Sequence, residues 1–142
     1  MSRLNFISLP VTDLGKSRAF YEALGFTNNP QFSDDTTACM VWSDTFFAMI
    51  MTRERWGTFT DRPIPERGST SVMLGLGCES RDEVDRRAEQ AGPAGGVTDA
   101  QPVSDHGFMY SRAITDPDDH FWEFVWMDPA TAHGQIAEQP SA

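Results

Sequence analysis

The sequence is poor in lysine, cysteine and histidine, and it contains no long apolar segment. Lys16 is the single lysine, and 21 acidic against 11 basic residues give a net charge of −10. A surface this acidic repels phosphate backbones, which argues against nucleic acid as a partner. No apolar run approaches the roughly 20 residues that a membrane helix requires, so we expect no membrane span.

The two cysteines, Cys39 and Cys78, are far apart in the sequence and form no CxxC motif. The first residues show no signal-peptide pattern of a basic start followed by an apolar core. We therefore expect a cytoplasmic protein in which both cysteines are reduced packing residues.

What the sequence does contain is a duplication. Asp13 is a good N-cap for a helix that ends at Gly25, and Ser80, with Glu83 completing a capping box, opens a second helix that ends at Gly92. The two helix signals lie 67 residues apart. Their equal length and spacing predict two related halves.

The strand pattern repeats in the same order. Each half reads as a strand, a helix and two strands joined by a tight turn, with weaker strands near 27–32 and 97–103. For the last two strands the offset becomes 75, which pairs Ala48 with Glu123. One helix cannot cover both faces of a sheet, so the two sheets are expected to cover each other or to enclose a cavity.

Three local motifs resemble those of the vicinal oxygen chelate superfamily. They are Asp-Leu at 13–14 with Phe-Tyr at 20–21, Leu-Gly-Phe at 24–26, and Asp-Pro-Asp-Asp-His-Phe-Trp-Glu at 116–123. The superfamily includes glyoxalase I, extradiol dioxygenases, and bleomycin- and fosfomycin-resistance proteins. In detail the chain looks most like glyoxalase-like proteins described as predicted lactoylglutathione lyases.

The resemblance implies an α+β fold in which two βαβββ modules form a curved mixed sheet around a ligand cleft, commonly in a dimer. We expect one domain over 1–128, with modules at about 3–56 and 69–128 and a polar C-terminal tail at 129–142. The expected partners are a small molecule and a second copy of the chain.

The resemblance also implies a divalent metal held by His and Glu from four strands. The residues at these positions are Phe6, Ser71 or Met73, Ala48 and Glu123. Of these, only Glu123 is a usual ligand, and all three histidines (His106, His120 and His133) fall in the last 37 residues. Transition-metal sites normally present three or four protein ligands. We therefore predict no metal and no other cofactor.

Glu123 stands alone in the apolar segment 121–127. Burying an ionised carboxylate costs several kcal/mol unless a charge or hydrogen bonds compensate it. One interpretation makes Glu123 the catalytic residue, as an acid/base group or polar anchor facing the ligand. The other makes it a structural carboxylate, paired with Arg112 of the neighbouring strand or with backbone donors.

Strand alternation extends this interpretation to the rest of the cleft. The predicted ligand-binding residues are Phe6, Ser8, Ala48, Ile50, Ser71, Met73, Tyr110, Arg112 and Phe121. The leading hypothesis is a dimer that binds a small organic molecule in a largely apolar cleft without a metal. One alternative is a lactoylglutathione lyase-like or dioxygenase-like enzyme whose metal shell includes His106. Another is a drug-sequestering resistance protein, which needs a cleft but no chemistry.

Overall fold

The computed structural model describes residues 2–132 of the chain. Its first sheet is built from β1 (Asn5–Val11), β2 (Thr27–Asn29), β3 (Thr37–Ser43) and β4 (Phe46–Thr52) in the spatial order β1–β4–β3–β2. Strand β1 is parallel to β4, and the other pairs are antiparallel. Helix α1 (Leu14–Leu24) connects β1 to β2, a 3-10 helix (Pro30–Phe32) follows β2, and α2 (Arg53–Trp56) follows β4.

The second sheet repeats this arrangement. It contains β5 (Leu74–Cys78), β6 (Val97–Thr98), β7 (Ser104–Asp105), β8 (Met109–Thr115) and β9 (Phe121–Met127), with α3 (Arg81–Glu89) after β5. The order is β5–β9–β8–β6, β7 also pairs with β8, and β5 is parallel to β9. Two mixed sheets with one main helix each confirm the predicted α+β class and the βαβββ modules.

The chain beyond β9 is only partly described. Residues 129–132 form one helical turn, while 133–142, which hold His133 and most of the predicted polar tail, lie outside the described residues.

None of the helices within 2–132 has the length and apolar character needed to cross a membrane. The cytoplasmic location stays a prediction.

The helix ends follow from local chemistry. The Asp13 carboxylate accepts the Lys16 N–H, and Gly25 ends α1 at φ 108°, a left-handed conformation that glycine adopts without strain. At the second helix the Ser80 hydroxyl accepts the Glu83 N–H as predicted, but the Glu83 carboxylate accepts the N–H of Glu79 and not that of Ser80, so the predicted capping box forms only in part.

The prediction that Gly92 ends the second helix is wrong, because α3 ends at Glu89. The Thr98 hydroxyl accepts the Gly92 N–H and donates to the Ala88 carbonyl, at 2.9 and 2.8 Å. These two bonds take over backbone groups at the end of the helix, and a turn replaces its last residues.

The two modules share one apolar core. Trp122 of β9 packs edge-on against Tyr21 and Phe26 at the end of α1, and Phe124 contacts Trp42 of β3. Arg87 of α3 lies over the Trp42 ring and donates to the Leu24 carbonyl at 2.6 Å. The helix-covered faces of both sheets therefore point inward, and their other faces point away from this core.

A buried polar chain runs through that core. The Trp122 indole N–H donates to the Tyr21 hydroxyl at 3.0 Å, and the hydroxyl donates to the Asp116 carboxylate at 2.6 Å. The other Asp116 oxygen accepts the backbone N–H groups of Asp118 and His120. Burial raises the pKa of Asp116 above its ordinary value. The network therefore fastens α1 of the first module to the β8–β9 turn of the second.

Tyr21→Phe is expected to lower the free energy of unfolding by about 1–3 kcal/mol, because it leaves two buried polar atoms, Trp122 Nε1 and one Asp116 carboxylate oxygen, without a partner. Tyr110→Phe is the matched control, since the Tyr110 hydroxyl donates to Asp85 at the same 2.6 Å from a half-buried position. That variant should lose at most about 1 kcal/mol. Urea unfolding measures both, and equal losses would contradict a central role for Tyr21.

Candidate functional site

The strand register decides which residues face outward. It also corrects the predicted offset between the last strands of the two modules. Ile7 of β1 pairs with Ala48 of β4, and Leu74 of β5 pairs with Trp122 of β9. Because Ile7 and Leu74 match at the offset of 67, Ala48 matches Trp122, and the counterpart of Glu123 is Met49. The last strands are thus offset by 74, and the predicted pairing of Ala48 with Glu123 is wrong. A slip of one residue moves every side chain to the opposite face of a strand.

Ala48 and Ile50 are therefore not cleft residues. Both are 0% exposed and lie in the shared core. The prediction that they bind the ligand is wrong, because β4 directs Phe47 and Met49 away from the core instead.

Tyr110 and Arg112 also face the helix side. They pair with Trp126 and Phe124, whose side chains pack in or against the core. The Arg112 guanidinium donates to three carboxylates, those of Asp85, Glu89 and Asp99 at 3.0, 3.2 and 2.8 Å. It lies on the opposite face of the sheet from Glu123. The predicted pairing of Arg112 with Glu123 is therefore wrong, and the structure does not bring Tyr110 or Arg112 to the face that carries Glu123.

Glu123 lies on the outward face of the second sheet among residues without large side chains. Its neighbour on β5 is Gly75 and its neighbour on β8 is Ala113. A Cβ placed on Gly75, or on the next outward residue Gly77, would meet open space. No ion pair within residues 2–132 involves Glu123. The carboxylate is thus accessible and has no cationic partner among these residues.

A depression of about 480 Å³ contains this carboxylate. The linker that precedes β5 and the loop after β6 form its sides, and β9 forms its floor. The lining residues are Thr70, Ser71, Val72, Met73, Gln101, Phe121 and Glu123. The structure thus brings together four predicted site residues: Ser71, Met73, Phe121 and Glu123.

The other two predicted residues lie outside this depression. Ser8 lines an adjoining cavity of about 290 Å³, which shares Thr70, Ser71, Val72 and Phe121 with the depression. Phe6 is 59% exposed and stacks on Phe47, with 5.1 Å between the ring centroids, on the outward face of the first sheet.

Three lining residues were missed by sequence reasoning. Thr70 and Val72 flank Ser71, so adjacency was the available signal. Gln101 lies in the loop between β6 and β7, and nothing in its surroundings in the sequence points to a site.

The depression combines a few polar groups with apolar walls, as small-molecule sites commonly do. Glu123 supplies an acceptor, Gln101 both a donor and an acceptor, and Thr70 and Ser71 supply hydroxyl groups. Val72, Met73 and Phe121 supply apolar surface. Such a set can orient a small organic molecule and accept a proton or hydrogen bond from it.

The chain is similar to one family model over part of its length and to several solved structures over most of it. Residues 3–43 match the family model described as bleomycin resistance protein-like N-terminal. A hypothetical protein from S. aureus, SA1046, is 26% identical, with a TM-score of 0.73 and coverage of 89% of this chain and 95% of that one. No curated protein sequence matches significantly.

Two further solved structures carry functional descriptions. A glyoxalase/bleomycin resistance protein/dioxygenase family enzyme from Burkholderia phytofirmans is 14% identical, with a TM-score of 0.72 over 89% of this chain and 99% of that one. The fosfomycin resistance protein FosX from Listeria monocytogenes is 22% identical, with a TM-score of 0.64 over 89% and 93%. The chain has the vicinal oxygen chelate fold. This confirms the resemblance to that superfamily, while the closer likeness to lactoylglutathione lyases stays a prediction.

The residues of this chain do not fit the metal that the superfamily implies. In the corrected register Ser8 of the first module is equivalent to Gly75 of the second, and Met49 is equivalent to Glu123. These four positions thus offer one carboxylate where a metal site needs three or four ligands. Within the described part of the chain, no group of three or more His, Cys, Asp or Glu side chains could hold a metal ion.

The two histidines within residues 2–132 have local contacts of their own. The His120 ring lies 2.7 Å from the Pro10 carbonyl. His106 lies in the loop after β7, where its ring contacts the Ser104 hydroxyl at 3.1 Å, and it does not line the depression. Arg81 fastens this loop through a bidentate bond to Asp105 and a third bond to the Gly107 carbonyl.

The Arg81 guanidinium and the Gly107 N–H lower the pKa of Asp105 from 3.8 to about 2. The pair therefore contributes stability above pH 3.8, and this contribution is lost as the pH falls toward 2. Arg81→Gln should return the Asp105 midpoint toward 3.8 in an NMR titration of the carboxyl carbons. The midpoint of Asp99, whose pKa is lowered by Arg112, should not move. An unchanged Asp105 midpoint would contradict this assignment.

Proposed function

We propose that this protein binds a small organic molecule over the outward face of the second sheet, with Glu123 as its polar anchor or acid/base group and without a metal. The observation that carries the proposal is a carboxylate without an ion-pair partner among residues 2–132, in a depression to which Val72, Met73 and Phe121 contribute apolar surface. A structural carboxylate would be expected to have a partner, and Arg112, the candidate for that role, is committed to three other acids.

The chemistry of the lining supports a ligand with both a polar and an apolar part. A donor group of the ligand would bind Glu123, because a hydrogen bond to a carboxylate is stronger than one between neutral groups. Its apolar part would contact Met73 and Phe121. If a reaction occurs, the carboxylate is the group placed to take a proton from the bound molecule.

We further propose that the functional unit is a homodimer. Large apolar side chains are exposed on the outward face of the first sheet and in the linker just before the second, with Phe6 59% and Met73 67% exposed. Clusters of exposed apolar side chains mark interaction sites. A second copy laid over these faces would turn the open depression into an enclosed cleft.

Sequestration of a drug-like molecule without chemistry is the second candidate. The match of residues 3–43 to the bleomycin resistance protein-like family favours it. A lyase or dioxygenase would require ligands beyond Glu123, and those would have to come from a second copy or from residues outside 2–132.

The binding proposal is tested by a thermal-shift screen that includes bleomycin, fosfomycin and the hemithioacetal of methylglyoxal and glutathione, each with and without Ni²⁺, Zn²⁺ and Fe²⁺. For any stabilising compound, Glu123→Gln should weaken the affinity by about tenfold or more, since it removes a charged hydrogen bond. Glu54→Gln, at an exposed residue outside the depression, is the matched control.

Two results would overturn the binding proposal. One is an affinity that Glu123→Gln and Met73→Ala both leave unchanged. The other is about one equivalent of bound metal in the purified protein that disappears in Glu123→Ala, which would replace the metal-free assignment with a metalloenzyme.

The dimer is tested by sedimentation of the wild type and of Phe6→Asp. The variant should be monomeric, because it places a charge in the apolar face that the second copy would cover. Ala19→Asp adds the same charge on the exposed side of α1 and should leave the dimer intact. A monomeric wild type at micromolar concentration would refute the dimer.

A further inference from the structure

The linker between the modules is fastened to the β8–β9 turn at two consecutive residues. The Arg67 guanidinium donates to the Pro117 carbonyl at 2.8 Å, and the Gly68 N–H donates to the Asp119 carboxylate at 2.6 Å. These contacts join segments about 50 residues apart in the chain. They are a tertiary attachment and not part of a local turn.

Both residues of the second contact have left-handed backbone conformations. Asp119 has φ 71°, and within residues 2–132 only Asp99 is another non-glycine residue with positive φ. A side chain in this region costs free energy that glycine would avoid. Gly68 has φ 89°, and a Cβ there would meet open space, so conformation and not crowding favours glycine.

The unfavourable backbone conformation of Asp119 is offset by a hydrogen bond that glycine could not make, because glycine has no carboxylate. The Asp119 side chain is the acceptor that holds the Gly68 N–H. Its neighbour Asp118 instead accepts the Thr12 N–H at 3.0 Å and holds β1. The two acids of one turn thus fasten two different segments.

The fastened linker leads directly into the Glu123 depression. Two residues after Gly68 the chain reaches Thr70, and 70–73 then form one side of the depression. This stretch belongs to no helix or strand, and β5 begins only at Leu74. Its position therefore depends on β5 at one end and on the contacts of Arg67 and Gly68 with the β8–β9 turn at the other.

We infer that Asp119 is a positioning residue for the ligand site. Its carboxylate holds the linker against the β8–β9 turn and thereby fixes the side chains of Ser71 and Met73 beside Glu123. The inference deepens the proposed binding function and concerns the same site. It does not place Asp119 in contact with the ligand.

The attachment is tested first in the ligand-free protein. Asp119→Gly suits the positive φ but removes the acceptor, whereas Asp119→Asn keeps an acceptor oxygen. Amide hydrogen exchange at Gly68 and Ser69, the two hydrogen-bonded amides of 66–73, and trypsin cleavage after Arg67 should both be about tenfold faster in the glycine variant and close to wild type in the asparagine variant. Asp118→Ala, which loses only the contact to Thr12, should leave both rates unchanged.

Unchanged exchange at Gly68 and Ser69 in Asp119→Gly would overturn the inference. A similar acceleration in Asp118→Ala would do so too, since it would indicate general loosening of the turn. The urea midpoint of each variant separates a local from a global effect, because the linker should open without loss of the core.

A binding measurement keeps this inference distinct from the proposed function. The probe is 8-anilinonaphthalene-1-sulfonate, titrated by fluorescence into the wild type, Asp119→Gly, Asp119→Asn and Glu123→Gln. Weakening of about tenfold in Asp119→Gly, restored in Asp119→Asn, supports the positioning role. If Glu123→Gln binds like the wild type, the proposed site is not where the probe binds, and the exchange data alone decide the attachment.

Discussion

The Tyr21 hydroxyl is the contact on which the arrangement of the molecule depends. It accepts a hydrogen bond from Trp122 and donates one to Asp116, and all three side chains are buried. Buried polar groups are costly unless they are paired, so this network fixes α1 of one module against β9 of the other. Because side chains alternate along a strand, an inward Trp122 requires an outward Glu123. The structural network and the candidate site are thus consequences of one register.

The two modules share an architecture but carry different surfaces. Outward residues of the first sheet include the bulky Phe47 and Met49, while those around Glu123 in the second sheet include Gly75 and Ala113. Small neighbours leave the carboxylate accessible. The duplication therefore supplies the same scaffold twice. Sequence differences between the modules give the second sheet, and not the first, an accessible carboxylate at this position.

Features set by neighbours in the sequence could be predicted, and features set by strand pairing could not. The caps at Asp13 and Ser80 involve groups three residues apart, so they are visible in the sequence. The offset of the last strands is not. Met40 pairs with Ala48 and Ile114 with Trp122, so both hairpin strands are offset by 74, whereas the first residues of the last strands, Phe46 and Phe121, lie 75 apart because the first hairpin contains a bulge between Val41 and Ser43. That difference of one residue placed Ala48 and Ile50 on the wrong face. Arg112 was misplaced for a related reason: its partners on α3 and after β6 come together only in the folded chain.

The sequence by itself determined the α+β class, the duplicated βαβββ modules and the presence of an isolated carboxylate at Glu123, because periodicity, capping residues and composition are local properties. Tertiary structure decided which face each strand presents and that Arg112 is unavailable to Glu123. It also decided that the linker residues 70–73 and Gln101 border the site. These depend on contacts between residues tens of positions apart, whose geometry follows from packing of the shared core and not from any short segment.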